Sequence, residues 1–301
     1  MPHSPYRSPS PLPPPVSGPP SRDSVVAALR AAGCVFAEDE TELILAAAPA
    51  PRDIAPMVER RAAGLPLELV VGWAEFHGRR VAVEPGVFVP RRRTEFLVEQ
   101  ALAQAPRAAV VVDLCCGSGA VGAALAAGLD GAELHAADID PAAVCCARRN
   151  VTALGGRVHR GDLFEALPGE LRSRVDILAA NVPYVPSDEM GLLPVEAREY
   201  EPRVALDGGA DGLDVLRRVA SGAPGWLAPG GCVLVETSGR QAPAAVDAFT
   251  AAGLRTRLAV CEGRHAHVVI GVAAGAPGAR DLGPARRITP EAADGAQDSD
   301  G

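Results

Sequence analysis

Four residues carry the most specific chemistry in this chain: Asn181, Val182, Pro183 and Tyr184, which close the largely apolar run 175–180. Asn and Pro can simply end a strand. An aromatic set between Pro183 and Pro186, however, would be held rigidly where a buried strand reaches a ligand edge. The residue types suit a planar nitrogen as reactant. An amide nitrogen is a poor nucleophile because its lone pair is delocalised, and it needs two acceptors for its N–H bonds so that the lone pair is aimed at an electrophile. The side-chain oxygen of Asn181 and the main-chain carbonyl of Val182 can be those acceptors. Tyr184 can stack on the planar group and exclude water.

A second set of residues suits a nucleoside-bearing cofactor. Asp113, Cys115, Cys116, Gly117, Ser118 and Gly119 follow the apolar run 109–112 and precede an Ala-rich helical stretch. Glycines at such a turn let the backbone bend sharply and approach a ligand closely. A dinucleotide would meet repulsion between its pyrophosphate and Asp113. A cofactor with an amino group at this point, such as the methionine part of S-adenosylmethionine (SAM), would not. Asp113 can act on it directly or by fixing the turn. Asp138 ends the next strand-like run and can accept both hydroxyl hydrogens of a ribose. Asp140 reads as the N-cap of the following helix, with Pro141 at its first position. Asp162 can take an adenine amino hydrogen, with Leu163 and Phe164 over the ring. Any one of these aspartates could be a turn cap, but three at successive strand tips define one ligand edge.

The elements that position these residues are legible from periodicity. Runs resembling buried strands recur at 109–114, 133–138, 157–162, 175–181 and 231–237, and helical stretches at 141–154, 211–223 and 241–252 separate most of them. That alternation predicts an α/β fold with a doubly wound, mostly parallel sheet. Two last runs, 255–260 and 265–272, flank Cys261-Glu262-Gly263-Arg264 as a hairpin, so the sheet should finish antiparallel. Before it, residues 21–69 read as a small helical domain punctuated by Gly33, Pro49 and Pro51. Residues 70–90, beginning with Val70-Val71, read as a β-hairpin linker. The first twenty residues hold nine prolines and the stretch from 276 to 301 is rich in Ala, Gly, Pro and Asp, so both are expected to be disordered tails. Residues 91–275 would then form the catalytic domain.

The sequence resembles the HemK/PrmC-like protein-(glutamine-N5) methyltransferases, which methylate the glutamine of a Gly-Gly-Gln tripeptide in peptide-chain release factors. The resemblance spans about residues 64–272. It rests on Val89-Pro90-Arg91 with Thr94-Glu95, the Asp113–Gly119 turn, Asp138, Gly161-Asp162-Leu163-Phe164 and Asn181–Tyr184. It continues through Tyr200-Glu201-Pro202-Arg203, the Gly208–Asp214 stretch and Glu236. It implies a Rossmann-like, seven-stranded SAM-dependent methyltransferase fold behind a helical N-terminal domain. It also implies SAM as cofactor, held by Asp113, Cys115, Cys116, Gly117, Ser118, Gly119, Asp138, Asp162, Leu163 and Asn181. Asn181, Val182, Pro183 and Tyr184 become the catalytic set, and a release factor or related protein the acceptor. Two departures stand out. Val182 replaces the family's usual Pro, although Pro183 still restricts residue 182 to extended angles. Arg91-Arg92-Arg93 replaces Arg-Pro-Asp and reads either as a solvated surface run or as an altered acceptor contact.

Composition narrows the remaining choices. A net charge of −8 argues against the basic face that nucleic-acid binding needs, which weighs against an adenine-N6 nucleic-acid methyltransferase. A non-catalytic SAM-binding regulator would have no use for an intact Asn-x-Pro-Tyr set. No apolar run approaches the roughly 20 residues that cross a bilayer, so no membrane partner and a cytoplasmic location are expected. The seven cysteines include no C-x-x-C pair and read as small buried hydrophobes in a reducing compartment, with no metal site.

Overall fold

A computed structural model describes residues 20–106 and 109–275, with the backbone of 287–288. The expected disordered segments 1–20 and 276–301 lie outside the described residues apart from Pro20 and that two-residue backbone stretch. The chain divides into two compact units between Val71 and Gly72.

The first unit holds four helices, α1 (Arg22–Ala31), α2 (Ala37–Ala47), α3 (Pro51–Ala62) and α4 (Leu67–Val71). Ser21 caps α1 through its hydroxyl, which accepts from the Ser24 amide, and Pro51 occupies the first turn of α3, where no amide is needed. Val25, Leu29, Ile44, Met57 and Val70 form its core. The expected strand start at Val70-Val71 is helical instead. The Pro66 carbonyl accepts from the amides of Leu69 and Val70 and opens a helical turn, and Val70 completes the apolar cluster.

The second unit begins with a hairpin, β1 (Trp73–Phe76) and β2 (Arg79–Ala82), joined by His77 and Gly78 at φ +48° and +68°. Two consecutive left-handed residues make the tight turn whose twist matches the flanking strands. After α5 (Glu95–Leu102) come β3 (Val110–Leu114), α6 (Ala120–Gly128), β4 (Glu133–Asp138), α7 (Pro141–Val151), β5 (Arg157–Arg160) and β6 (Val175–Ala180). Then follow α8 (Val195–Tyr200), α9 (Asp214–Gly222), β7 (Leu227–Thr237), α10 (Ala242–Ala251), β8 (Arg255–Cys261) and β9 (Ala266–Val272). The sheet order is β5-β4-β3-β6-β7-β9-β8, with a two-residue strand β10 (Arg287–Ile288) beside β8. Strands β5 to β7 in this order run parallel, and β9 is antiparallel to both β7 and β8.

Every residue of β3 is buried, as a central strand covered on both faces requires. One face packs Leu97, Val121 and Leu125 of α5 and α6. The other packs Leu216, Val219 and Phe249 of α9 and α10. The strand order reverses between β4-β3 and β6. In open α/β sheets the crevice at that reversal, beyond the carboxyl ends of the strands, is where ligands bind. No helix among the described residues is long and apolar enough to cross a membrane.

Candidate functional site

The carboxyl ends of β3, β4 and β6 open into a cavity of about 480 Å³, all of whose lining residues belong to the second unit. Of the residues singled out from sequence, Asp113, Cys115, Cys116, Gly117, Ser118, Asp138, Asp162, Leu163, Asn181, Val182, Pro183 and Tyr184 all line it. Gly119 does not. It turns the chain into α6 at φ +77°, and an added Cβ would lie 3.0 Å from Val151 and 3.1 Å from Ala147.

Asp113 is 1% exposed, and its Oδ2 accepts from the Gly122 amide in the first turn of α6 at 2.8 Å. Its carboxylate therefore fixes the Gly-rich turn. Burial pushes the Asp113 carboxyl up to about 7; the Gly122 hydrogen bond opposes this and the nearby charge of Asp138 adds to it. Cys115 takes a left-handed φ of +54° and Gly117 one of +53°, which coils the turn around the cavity. The two thiols are pushed well above the ordinary range by burial and by the neighbouring carboxylates, so they line the site as neutral groups.

Asp138 at the tip of β4 accepts from the Gly117 amide at 2.9 Å and from the Asp140 amide at 2.9 Å, one on each oxygen. Asp140 caps α7 and Pro141 begins it, as the sequence suggests. Beside them Ile139, 50% exposed, lines the cavity, as does Leu163. Asp162 is engaged by Arg218, Nη2 to Oδ2 at 2.7 Å. Phe164 does not cover this region. Leu163 at φ +48° turns the chain, and Phe164 packs away from the cavity on Trp226, with ring centroids 5.8 Å apart. The edge thus offers a buried carboxyl, a second carboxylate at the neighbouring strand tip and a pair of apolar side chains. That sequence of surfaces can hold an extended ligand with a cationic end, a diol and a flat ring.

The other half of the cavity centres on Asn181. No described donor or acceptor reaches its side-chain amide, so its hydrogen-bonding capacity faces the cavity. Val182 is buried, at 1% exposure, and belongs to the same apolar cluster as Leu178 and Leu213, at the edge of the cavity. The change from Pro to Val is thereby absorbed inside the protein. Tyr184 is fixed at its hydroxyl, which receives a hydrogen bond from Arg93 Nη2 and donates to Glu236 Oε1 at 3.4 Å. Burial, with Glu236 adding and Arg93 opposing, pushes the phenol up to about 12.

The arginine run is neither a uniform surface feature nor a free basic patch. Arg91 pairs with buried Glu201 at 2.6 Å, and Arg93 Nε pairs with buried Glu236 at 2.9 Å; Arg92 is exposed. Extended backbone at Arg91 followed by a tight turn over Arg92–Thr94 places side chains 91 and 93 on the cavity wall and 92 outside. Sequence reading missed Arg93 as a partner of Tyr184, and it missed Gln241, whose amide bonds to the Tyr184 carbonyl at 2.9 Å. It also missed Asn150, whose amide joins Ala82 in the hairpin to the Ser118 carbonyl in the Gly-rich turn. An Asn in the last turn of a helix was the only local signal for the latter. No group of His, Cys, Asp and Glu among the described residues could hold a metal ion.

Comparison with known proteins places this geometry. The family model described as "Methyltransferase small domain" matches residues 78–191, which include the Gly-rich turn and the Asn-x-Pro-Tyr segment. The release factor glutamine methyltransferase of Geobacter sulfurreducens is 42% identical over 65% of this chain and 69% of its own length. That of Bordetella pertussis is 42% identical over 66% and 74%. A 4-amino-L-phenylalanine/4-methylamino-L-phenylalanine methyltransferase of Streptomyces pristinaespiralis is 35% identical over 75% and 78%. With identity at this level across more than two thirds of such relatives, the chain belongs to the release factor glutamine methyltransferase family of SAM-dependent enzymes.

Proposed function

We propose that this enzyme methylates the side-chain amide nitrogen of a glutamine in a protein acceptor, of the peptide-chain release factor class, in the cytoplasm. The observation that carries the reading is the unpartnered Asn181 amide beside the Val182 carbonyl, at the end of a buried strand and under a doubly anchored tyrosine. SAM, when bound, supplies an electrophilic methyl group on a sulfonium sulfur. The residues present fit it: the buried Asp113 carboxyl for its ammonium end, Asp138 for the ribose hydroxyls, Ile139 and Leu163 for the flat ring. Asp162 is then shared: Oδ2 pairs with Arg218 and Oδ1 is left for the adenine amino group.

The chain's own contribution is orientation. Asn181 Oδ1 accepts one N–H of the acceptor amide and the Val182 carbonyl accepts the other, which turns the nitrogen lone pair toward the cofactor side of the cavity. The Tyr184 ring covers the amide plane and keeps water out. Its phenol stays protonated at physiological pH, so it shapes the site and does not serve as base. The N–H proton needs no strong base before attack, because its acidity rises only once the nitrogen carries the new bond.

A second reading has one observation behind it. A relative that acts on the aromatic amine of 4-amino-L-phenylalanine matches a larger share of this chain, 75% against 65%. An arylamine poses the same lone-pair problem, and Arg91 and Arg93, which line the cavity beside their Glu201 and Glu236 partners, are cations there for a small acceptor's carboxylate. Incubation with labelled SAM separates the two: methyl label on a glutamine of a release factor supports the protein acceptor, and label on free 4-aminophenylalanine alone replaces it.

A further inference from the structure

The Asn181–Tyr184 segment must keep its carbonyl and amide directions fixed to within fractions of an ångström, because misplacement by about 1 Å can cost 10²-fold in rate. Strand β6 holds the segment from before. After it, the Val185 amide donates to the Leu206 carbonyl at 2.9 Å, and the Gly208 amide to the Val185 carbonyl at 2.8 Å. Between these anchors, one side chain among the described residues bonds to the main chain of 181–184, and it is Gln241.

Gln241 is 6% exposed and precedes α10. Its Nε2 donates to the Tyr184 carbonyl at 2.9 Å and to the Asp211 carbonyl at 2.9 Å, while Oε1 accepts from the Ser238 hydroxyl at 2.6 Å. Both N–H donors are therefore spent on two main-chain carbonyls from different loops. At Gly208 and Gly212 the 206–212 loop approaches too closely for a side chain. A Cβ on Gly208 would lie 2.7 Å from the Pro183 carbonyl oxygen. One on Gly212, whose φ is +76°, would overlap both Gln241 Nε2 and the Tyr184 carbonyl oxygen. The glycines admit the contact and the glutamine closes it.

We propose that Gln241 is a positioning residue for methyl transfer: it clamps the Tyr184 carbonyl to the Asp211 carbonyl and so sets the direction in which Asn181 and Val182 present their acceptors. It touches neither cofactor nor acceptor. The inference rests on the reading of Asn181 and Val182 as amide-orienting groups. Gln241→Met keeps the length and removes both donors. Gln241→Glu keeps the shape but, when ionised, sets a carboxylate against two carbonyl oxygens. When protonated it regains one donor.

The test compares these variants with the wild type on whichever acceptor, glutamine-bearing protein or arylamine, the wild type methylates. Gln241→Met should lower kcat by about 10- to 100-fold, with SAM affinity by calorimetry within about threefold. Gln241→Glu should be impaired at pH 8 and regain activity relative to wild type as pH falls to 6, because the buried carboxyl takes up a proton. Gln241→Met should show no such recovery. Hydrogen exchange gives a readout independent of turnover. Amides of Val185 and Ser187, bonded to Leu206 and Gly209, should exchange faster in Gln241→Met and those of β3 should not. Wild-type kcat together with unchanged exchange in folded Gln241→Met overturns the proposal. Failure to methylate any glutamine overturns the acceptor reading instead, and leaves the exchange experiment to decide the clamp.

Discussion

The Asp113 carboxyl makes cofactor binding depend on pH in a way that can be worked out in advance. Burial raises it from 3.8 to about 7 in the cofactor-free protein. If the ammonium of SAM pairs with the ionised form, the competent fraction is about one half at pH 7 and about one thirtieth at pH 5.5. The apparent Kd scales inversely with that fraction. SAM should therefore bind about 15-fold more weakly at pH 5.5 than at pH 7, or ~1.6 kcal/mol at 1.36 kcal/mol per tenfold change. Binding at the lower pH must release close to one proton, which calorimetry in two buffers of different ionisation enthalpy measures directly. The stability of the cofactor-free protein should move the other way. Because the folded form holds the proton more tightly than the unfolded chain, Asp113 contributes a loss of stability as pH rises from about 4 to about 7, and nothing further above. Asp113→Asn keeps an acceptor for the Gly122 amide and should flatten the affinity profile; any slope left belongs to Asp138, which burial also raises. Wild-type affinity that is flat between pH 5.5 and 7, with no proton release, would refute the pairing.

The arginine run gives a contrast between neighbours. Arg93→Met strands the buried Glu236 carboxylate; since the guanidinium side is 42% exposed, the cost should be about 1–2 kcal/mol, below that of a fully buried pair, seen as a lower Tm with a raised acceptor KM and unchanged SAM affinity. Arg92→Ala, at an exposed side chain outside the cavity lining, should leave all three within error, and an equal effect of both would revive a shared acceptor contact. Asp138→Ala should weaken SAM binding by about 1.5–3 kcal/mol, the scale of hydrogen bonds to a charged group. It should also lower Tm, because the Gly117 and Asp140 amides lose their acceptor. A folded variant with unchanged affinity by calorimetry rules out the ribose role.

What the sequence revealed and what it hid follow one physical division. Strand β3 was legible because a strand buried on both faces is a continuous apolar run, and the aspartates at its tip and at the tip of β4 interrupt such runs abruptly. The cap at Asp140 and the first-turn Pro141 are local chemistry, and they stand where the pattern places them. The hidden features are all long-range. Arg91 meets a glutamate 110 positions away and Arg93 one 143 positions away, so three consecutive cations looked alike when only their spacing was visible. Gln241 carries no local signal, since its work is done on the backbones of two distant loops. Phe164 was misplaced because the left-handed residue before it reverses the face it presents. Val70-Val71 shows the limit of short apolar runs, which fit a helical turn as well as a strand until the partner surface is known.

The central claim is that Asn181 orients a glutamine amide for methylation, and one measurement bears on it most directly. Wild-type enzyme and Asn181→Ala are compared in single-turnover transfer of labelled methyl to a glutamine-containing release factor, with the modified residue located by mass spectrometry and SAM affinity measured alongside. The account predicts label on the glutamine side-chain nitrogen and a fall of roughly 10²–10³ in the transfer rate of the variant, the loss expected for one preorganised polar contact, with SAM affinity little changed. Near-normal transfer by a folded Asn181→Ala would contradict it, because the residue would then merely end a strand.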